Sequence, residues 1–384
     1  MVIPILFLLS FLFLRMLKRE DKTLNIIILI YLGIYILFLV YFWNYVTINL
    51  HWELGISGSD MLQYFNVAQY IASGEPSWII YEYYSNQEIG YLLYIYYLVL
   101  SIMWPINLVP EFGVISLYLL NIMLVIFSGY NLYKYLMAKS FKMKTSVIAV
   151  AIYFGNISLV FTACRLLRDT LILFLFSVFL RNIVNNRKGI SIFLVILSMV
   201  VTVILRNYTV LFFIPFLFLE RHRYKSFEIY LILAIFVFCF LFIVAESDIQ
   251  VIRNQHLGYD LTLFDGIIKY LLSPDIIDSI RSLSLPESYF YEYGYNPIIY
   301  LILSIWNAIF IPIAFIGLFN NKGKKELKYI SLFVIFGFSL IISVLYSGTN
   351  EPRHKLIIIL PLIILISMGI DNINRIVKKA TSRV

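Results

Sequence analysis

The residues best placed for chemistry in this chain are two aspartates and a set of arginines, each flanked by long apolar runs. Asp60 lies in Gly55-Ile56-Ser57-Gly58-Ser59-Asp60-Met61-Leu62-Gln63-Tyr64. A carboxylate held at a membrane–water boundary can serve as a general base toward a sugar hydroxyl. Asp60 with Gln63 three positions on also has the form of a capping box, and Gly74 then Pro76 reads as a helix stop. Both readings can hold, because a cap also fixes a side chain. Asp169 follows two arginines in Cys164-Arg165-Leu166-Leu167-Arg168-Asp169. It reads as an ion-pair partner of those arginines, as an N-cap for a helix over 170–184, or as a group that orients an acceptor. Asp60 and Asp169 are also the candidate ligands for a divalent cation. The sequence holds no D-x-D, G-x-S-x-G, Walker A or H-E-x-x-H motif, and His51, His222, His256 and His354 are scattered.

The arginines fall where few are expected. Arg165 and Arg168 share one very short turn, Arg206 lies in Leu205-Arg206-Asn207-Tyr208, and Arg353 and His354 lie in Asn350-Glu351-Pro352-Arg353-His354. Charge at such depths is costly and marks functional sites. Guanidinium groups converging on one cavity suit a phosphate, which they grip bidentately. The plainer reading is that each snorkels to lipid headgroups. For the three turns together an anionic ligand is the better expectation, because they oppose the orientation signal described below. The stretch 247–296 adds Asp248, Asp260, Asp265, Asp275, Asp278, Glu287 and Glu292 with several tyrosines. That mixture suits sugars, and it equally suits a solvated loop with an interfacial tyrosine belt.

The elements that must position these groups follow from composition. Of 384 residues, 61% are hydrophobic, 17% aromatic and 14% charged, against about 25% charged in soluble domains. A soluble enzyme, a disordered chain and a disulfide scaffold are thereby excluded. Cys164 and Cys239 sit in apolar runs with no metal spacing and read as small core residues. A bilayer-crossing helix needs about 20 mostly apolar residues. Such runs occur at 1–17, 24–48, 89–109, 112–133, 145–164, 170–184, 189–205, 207–219, 226–246, 297–319, 329–347 and 355–370. The first lacks the basic start and small-residue cleavage site of a signal peptide and reads as a helix.

Net charge is +8, and its placement matters more than its sum. Basic loops at Lys18–Lys22, Lys134–Lys144, Arg181–Lys188, Arg221–Lys225, Lys322–Lys328 and Arg375–Arg383 should face the cytoplasm. Between Lys22 and Lys134 there is no Lys or Arg at all. Three apolar runs in that interval would put Lys134–Lys144 outside, so one of them should not cross. The run 89–109, with Tyr91, Tyr94, Tyr96, Tyr97 and Trp104, is the best in-plane candidate. The expectation is a single all-α membrane domain over 1–384. It has about eleven transmembrane helices, a cytoplasmic C-terminus, and outer loops near 49–111 and 247–296. The first of these contains a juxtamembrane helix.

The order of these features resembles the integral membrane glycosyltransferases of the C-type (GT-C) superfamily, which use polyprenyl-phosphate sugar donors. These include the lipid A aminoarabinose transferases and the protein O-mannosyltransferases. The resemblance covers the chain from about residue 24 and rests on order and spacing. Asp60, followed by Tyr64, Ala68 and Gly74, matches the first-loop Asp and its short helix. Glu88-Ile89-Gly90-Tyr91 opens a run like the family's juxtamembrane helix, and Lys139-Ser140-Phe141-Lys142 resembles its basic cytoplasmic turn. Arg165-Leu166-Leu167-Arg168-Asp169 resembles its Arg-x-x-Arg-Pro-Asp turn without the Pro. Arg206-Asn207-Tyr208 stands where many members have Thr-Lys-Gly. Glu351-Pro352-Arg353-His354-Lys355-Leu356, with Pro361, resembles the late Arg-Tyr-x-x-Pro region. The family's first-loop acidic pair is Ser59-Asp60 here, and the helix 1–17 lies outside the family core.

The resemblance implies a polyprenyl-phosphate-linked donor, a glycan or lipid-linked acceptor, and inverting transfer on the outer face of the membrane. Asp60 would be the base and Asp169 a second catalytic carboxylate. Arg353, with Arg165, Arg168, Arg206 and His354, would hold the phosphate. Membrane lipids are expected partners and nucleic acid is not. The turn without Pro also resembles repeat-unit polymerases of O-antigen and capsule. A glycolipid transporter or flippase is the alternative of a different class, and it would show paired, discontinuous helices from internal repeats. The richness in Ile, Asn, Lys and Tyr points to an AT-rich genome, hence a bacterial cytoplasmic membrane.

Overall fold

The computed structural model describes residues 11, 13–18, 21–44, 110–164, 169–184, 189–205, 213–221, 271–272, 279–280, 297–319, 324–346 and 355–382. Among them the regular structure is helical, with no strand. The helices are α1 (Lys22–Asn44), α2 (Pro110–Ala138), α3 (Met143–Phe154), α4 (Ile157–Ala163), α5 (Asp169–Val184), α6 (Gly189–Leu205), α7 (Phe213–Arg221), α8 (Pro297–Leu318), α9 (Lys325–Tyr346) and α10 (Leu356–Thr381).

Local sequence explains where they start and stop. The Asp21 carboxylate accepts from the backbone N–H of Thr23 at 2.8 Å and of Leu24 at 3.4 Å, satisfying two orphan donors of α1. Pro110 and Pro297 open α2 and α8, where a missing N–H costs nothing. α2 closes on Ser140, whose φ of 58° is left-handed. The Phe141 N–H then reaches Leu136 O and the Ser140 N–H reaches Met137 O, each at 3.1 Å. That is a Schellman closure with serine where glycine is usual. Pro312 and Pro361 lie inside α8 and α10, tolerable where packing re-satisfies freed backbone groups.

Among the described residues three helices are long and apolar enough to cross a membrane: α1, α8 from Ile298, and α10. The pair α3–α4 makes a fourth if taken as one bent span. The α10 window is 83% buried and the α1 window 22%. α10 is the hub and packs on α8, α9, α3 and α5, while α5 in turn carries α2, α6 and α7. The exposed faces are apolar at helical spacing, with Ile298, Ile302, Ile305 and Ile309 on α8 and Ile190, Phe193, Leu197 and Val200 on α6. Such a stripe is what a lipid-facing helix surface requires.

The expected runs 24–48, 112–133, 170–184, 189–205, 297–319 and 329–347 coincide with α1, α2, α5, α6, α8 and α9 to within a few residues. In two places the helices differ from the bare bounds of the apolar runs. The run 145–164 is not one straight helix but α3 and α4, bent by 56° at Gly155 and Asn156. The last helix does not stop at 370 but continues to Thr381, well past its apolar segment. From the runs 1–17 and 207–219, residues 11, 13–17 and 213–219 are described and helical. The runs 89–109 and 226–246, and all but a few residues of the two outer loops, lie outside the described residues.

Candidate functional site

The break between α3 and α4 lies beside a cavity. Gly155 permits it: a Cβ there would sit 3.1 Å from the Tyr31 hydroxyl and 3.3 Å from Ala151 O. Asn156 then caps α4, its side-chain oxygen accepting from the Ser158 N–H at 2.9 Å. Two carbonyls of α3 thereby lose their helical donors, because the N–H groups of Asn156 and Ser158 turn elsewhere. Neighbouring helices replace them. The Trp306 indole Nε1 of α8 donates to Ile152 O, and the Tyr35 hydroxyl of α1 donates to Phe154 O, both at 3.2 Å. The bend is thus a built feature, since an unmet carbonyl at this depth would cost several kcal/mol, on the order of 2–7.

The cavity beside it measures about 450 Å³, within the range of pockets that hold small ligands. Its walls come from α8, α9 and α10, chiefly Leu303, Ile311, Phe315, Ile335, Ile359 and Leu362. Polar groups are few: Asn156 and Ser158 at the break, Asn307 on α8, and Lys355 at the start of α10. Ser158 is 1% exposed and its hydroxyl has no hydrogen-bond partner among the described residues. Lys355 is buried, with Nζ 3.5 Å from Leu271 O. The walls are almost wholly apolar, with Lys355 at one end of the cavity.

Asp169 is the one expected site residue among those described. It is the first residue of α5, 2% exposed, at the positive end of the helix dipole. The adjacent Thr170 hydroxyl donates to Asn121 Oδ1 of α2 at 3.1 Å, which ties this helix start to its neighbour. Asp60, Arg165, Arg168, Arg206, Arg353 and His354 lie outside the described residues. Among the described residues no group of three His, Cys, Asp or Glu side chains could hold a metal ion. Cys164 is buried, as a core residue should be.

Lys355, Ser158 and Asn156 are site residues that the reading of runs and turns does not select. A signal for two of them exists, because Gly-Asn inside an apolar run is a local breaker. Lys355 is adjacent in sequence to Arg353 and His354, so the cavity meets the late cationic segment at its first described residue. Comparison with protein families, with curated proteins and with solved structures finds no match to this chain.

Proposed function

We propose that this protein is an integral membrane glycosyltransferase that moves a sugar from a polyprenyl-phosphate donor to a glycan or lipid-linked acceptor at the outer membrane face. The observation that carries this reading is the apolar cavity at the broken helix, with Lys355 at the start of α10 and Arg353 and His354 just before it. An isoprenoid chain suits such walls, and a phosphate suits that cationic segment. Arg353, with Arg165, Arg168 or Arg206, holds the phosphate and offsets charge developing on the leaving group. Asp60 takes the proton of the acceptor hydroxyl. The new bond joins that oxygen to the anomeric carbon, and the bond to the carrier phosphate breaks with its electron pair. One displacement inverts the anomeric centre. Asp169 orients the acceptor, or shares a divalent cation with Asp60. The organism class that fits is bacterial, with the chain in the cytoplasmic membrane and its C-terminus inside.

The experiment is a transfer assay on protein purified in lipid, with polyprenyl-linked sugars as donors and release of carrier phosphate as readout. Asp60→Asn is expected to lower turnover by about 10²-fold or more, as expected for loss of a general base. Arg353→Ala and Asp169→Asn should also lower it, with donor binding weakened in the first. Near-normal turnover by Asp60→Asn would remove Asp60 as the base. Release of pyrophosphate-linked carrier instead would assign the polymerase branch. A second reading, a glycolipid flippase, is favoured by the broken α3–α4 helix, since discontinuous helices form transporter sites. Donor movement across vesicles without any sugar transfer would select it.

A further inference from the structure

A second cleft lies at the far end of α10. From Asn374 onward the helix is exposed, and it runs on to Thr381. Arg375, Lys378 and Lys379 follow i, i+3, i+4 spacing and so share one face. Together with Asn372, Ser382, Ile376 of α10 and Ile316 and Phe319 at the end of α8, they line a cleft of about 580 Å³. No acid lines it among the described residues. Phe319 is 70% and Ile376 64% exposed, so large apolar side chains stand open beside three cations.

The bland account is that Lys378 and Lys379 complement the negative end of the α10 dipole. That covers two lysines in the last turn. It leaves out Arg375, a turn earlier, and the open apolar surface that faces the same space. The uncharged polar wall residues are already engaged, because Asn372 Nδ2 donates to Ile316 O at 3.0 Å and also to Phe319 O, and Ser382 Oγ donates to Lys379 O. Asn372 therefore fixes the cleft shape and leaves the cations to meet a ligand. Depth gives the ligand's class. Leu356 to Arg375 is nineteen steps, about 28 Å at ~1.5 Å per residue, against a hydrocarbon core of about 30 Å. The cations thus sit at headgroup level when Leu356 sits at the opposite boundary, with exposed Phe319 and Ile376 at that same boundary beside them.

We infer that this cleft binds an anionic phospholipid of the cytoplasmic leaflet. Arg375 grips the phosphate bidentately, Lys378 and Lys379 neutralise it as point charges, and an acyl chain lies against Phe319, Ile316 and Ile376. The site is independent of the sugar-transfer reading, because it lies at the opposite end of α10 from Lys355.

The test uses the full chain in bilayer nanodiscs of phosphatidylcholine with a minor fraction of phosphatidylglycerol. The protein is extracted gently and the phosphatidylglycerol retained per protein is measured by mass spectrometry. Arg375→Gln with Lys378→Gln and Lys379→Gln should lower retention about tenfold. Lys142→Gln with Lys144→Gln, exposed bases at the start of α3, should leave it unchanged. Lys378→Arg with Lys379→Arg should also retain it, and size-exclusion profiles report folding. Equal retention by the triple variant would overturn the site, as would equal loss in the Lys142 and Lys144 control. Displacement of the lipid by inorganic phosphate at constant ionic strength would reassign the cleft to a free anion. Loss of lipid in the charge-retaining variant would show that the triple acts through packing, which also overturns the assignment.

Discussion

Two helix pairs hold this bundle together in opposite ways. α8 and α10 meet chiefly through glycine, with a side-chain bond from Asn372 only at the end of the contact. A Cβ on Gly317 would collide with Leu365 O, and a Cβ on Gly369 would collide with Ile313 O. Backbone lies on backbone there, and dispersion over a close approach does the holding. α2 and α5 meet through side-chain hydrogen bonds. Thr170 donates to Asn121, Asn131 donates to Ser177 at 3.1 Å, and Arg181 donates to Asn131 Oδ1 at 3.0 Å. Arg181 also lies over the Tyr130 ring at 5.4 Å. The first contact has no slack, because nothing larger than hydrogen fits. The second has slack, because each polar group can pair with other protein groups when the helices part. The tightest contact of the hub helix α10 is this close packing on α8, and Asp371 and Asn372 add polar links to Thr145, Lys324 and the end of α8.

Substitution at the glycines should therefore hurt most. Gly369→Val is expected to destabilise by about 3 kcal/mol, since overfilling forces backbone shifts. A denaturation midpoint in detergent checks this, and a change under about 1 kcal/mol would mean that α8 and α10 separate easily.

An intermediate effect is expected just past the glycine contact. The Asp371 carboxylate accepts from the Thr145 hydroxyl at 2.6 Å and pairs with Lys324 at 3.5 Å. Lys324 also sits over the Phe141 ring. Asp371→Ala should cost about 2 kcal/mol, the value of a hydrogen-bonded charged group whose partner stays half-buried. The pH response sharpens this. Burial pushes the Lys324 ammonium below its ordinary value, opposed by Asp371 and reinforced by Arg375. With the folded value lowered, the unfolded chain binds more protons just below the ordinary lysine value of about 10.4. Stability should then rise with pH through that window, and the rise should begin at lower pH in Asp371→Asn. A flat profile in both proteins would remove Lys324 as the titrating group.

The smallest effect is expected in the polar pair. A double-mutant cycle of Asn131→Val and Ser177→Ala should give a coupling of about 0.6 kcal/mol, as for other hydrogen bonds between membrane helices. A coupling as large as the Gly369 effect would make the two interfaces alike.

Much of the helical layout was legible because apolar runs of span length have few other stable forms. The break at Gly155 and Asn156 was legible only in part. Both residues favour an interruption, yet the apolar run continues on either side and reads as one helix. The end of α10 was missed for the reverse reason. Its apolar segment stops near residue 370, while helix continues through Asn-, Arg- and Lys-rich turns that the hydropathy pattern ignores. Asp169 was selected from its neighbours in sequence. Lys355 was not, because its place in the cavity depends on α4, α8 and α9 converging beside it.

Sequence by itself determined that the chain makes apolar helices, where most of them begin, and that its cations and acids crowd different connections. Tertiary structure alone decided which helix is central. α1 and α10 carry runs of similar apolar character, yet one is 22% and the other 83% buried. Lipid and protein interior are equally apolar, so hydropathy cannot tell them apart. What separates them is shape. Gly369 meets Ile313 from a helix more than fifty residues away, and Trp306 meets the carbonyl that Gly155 frees. Such fits are properties of pairs of surfaces, and no single run of residues contains them.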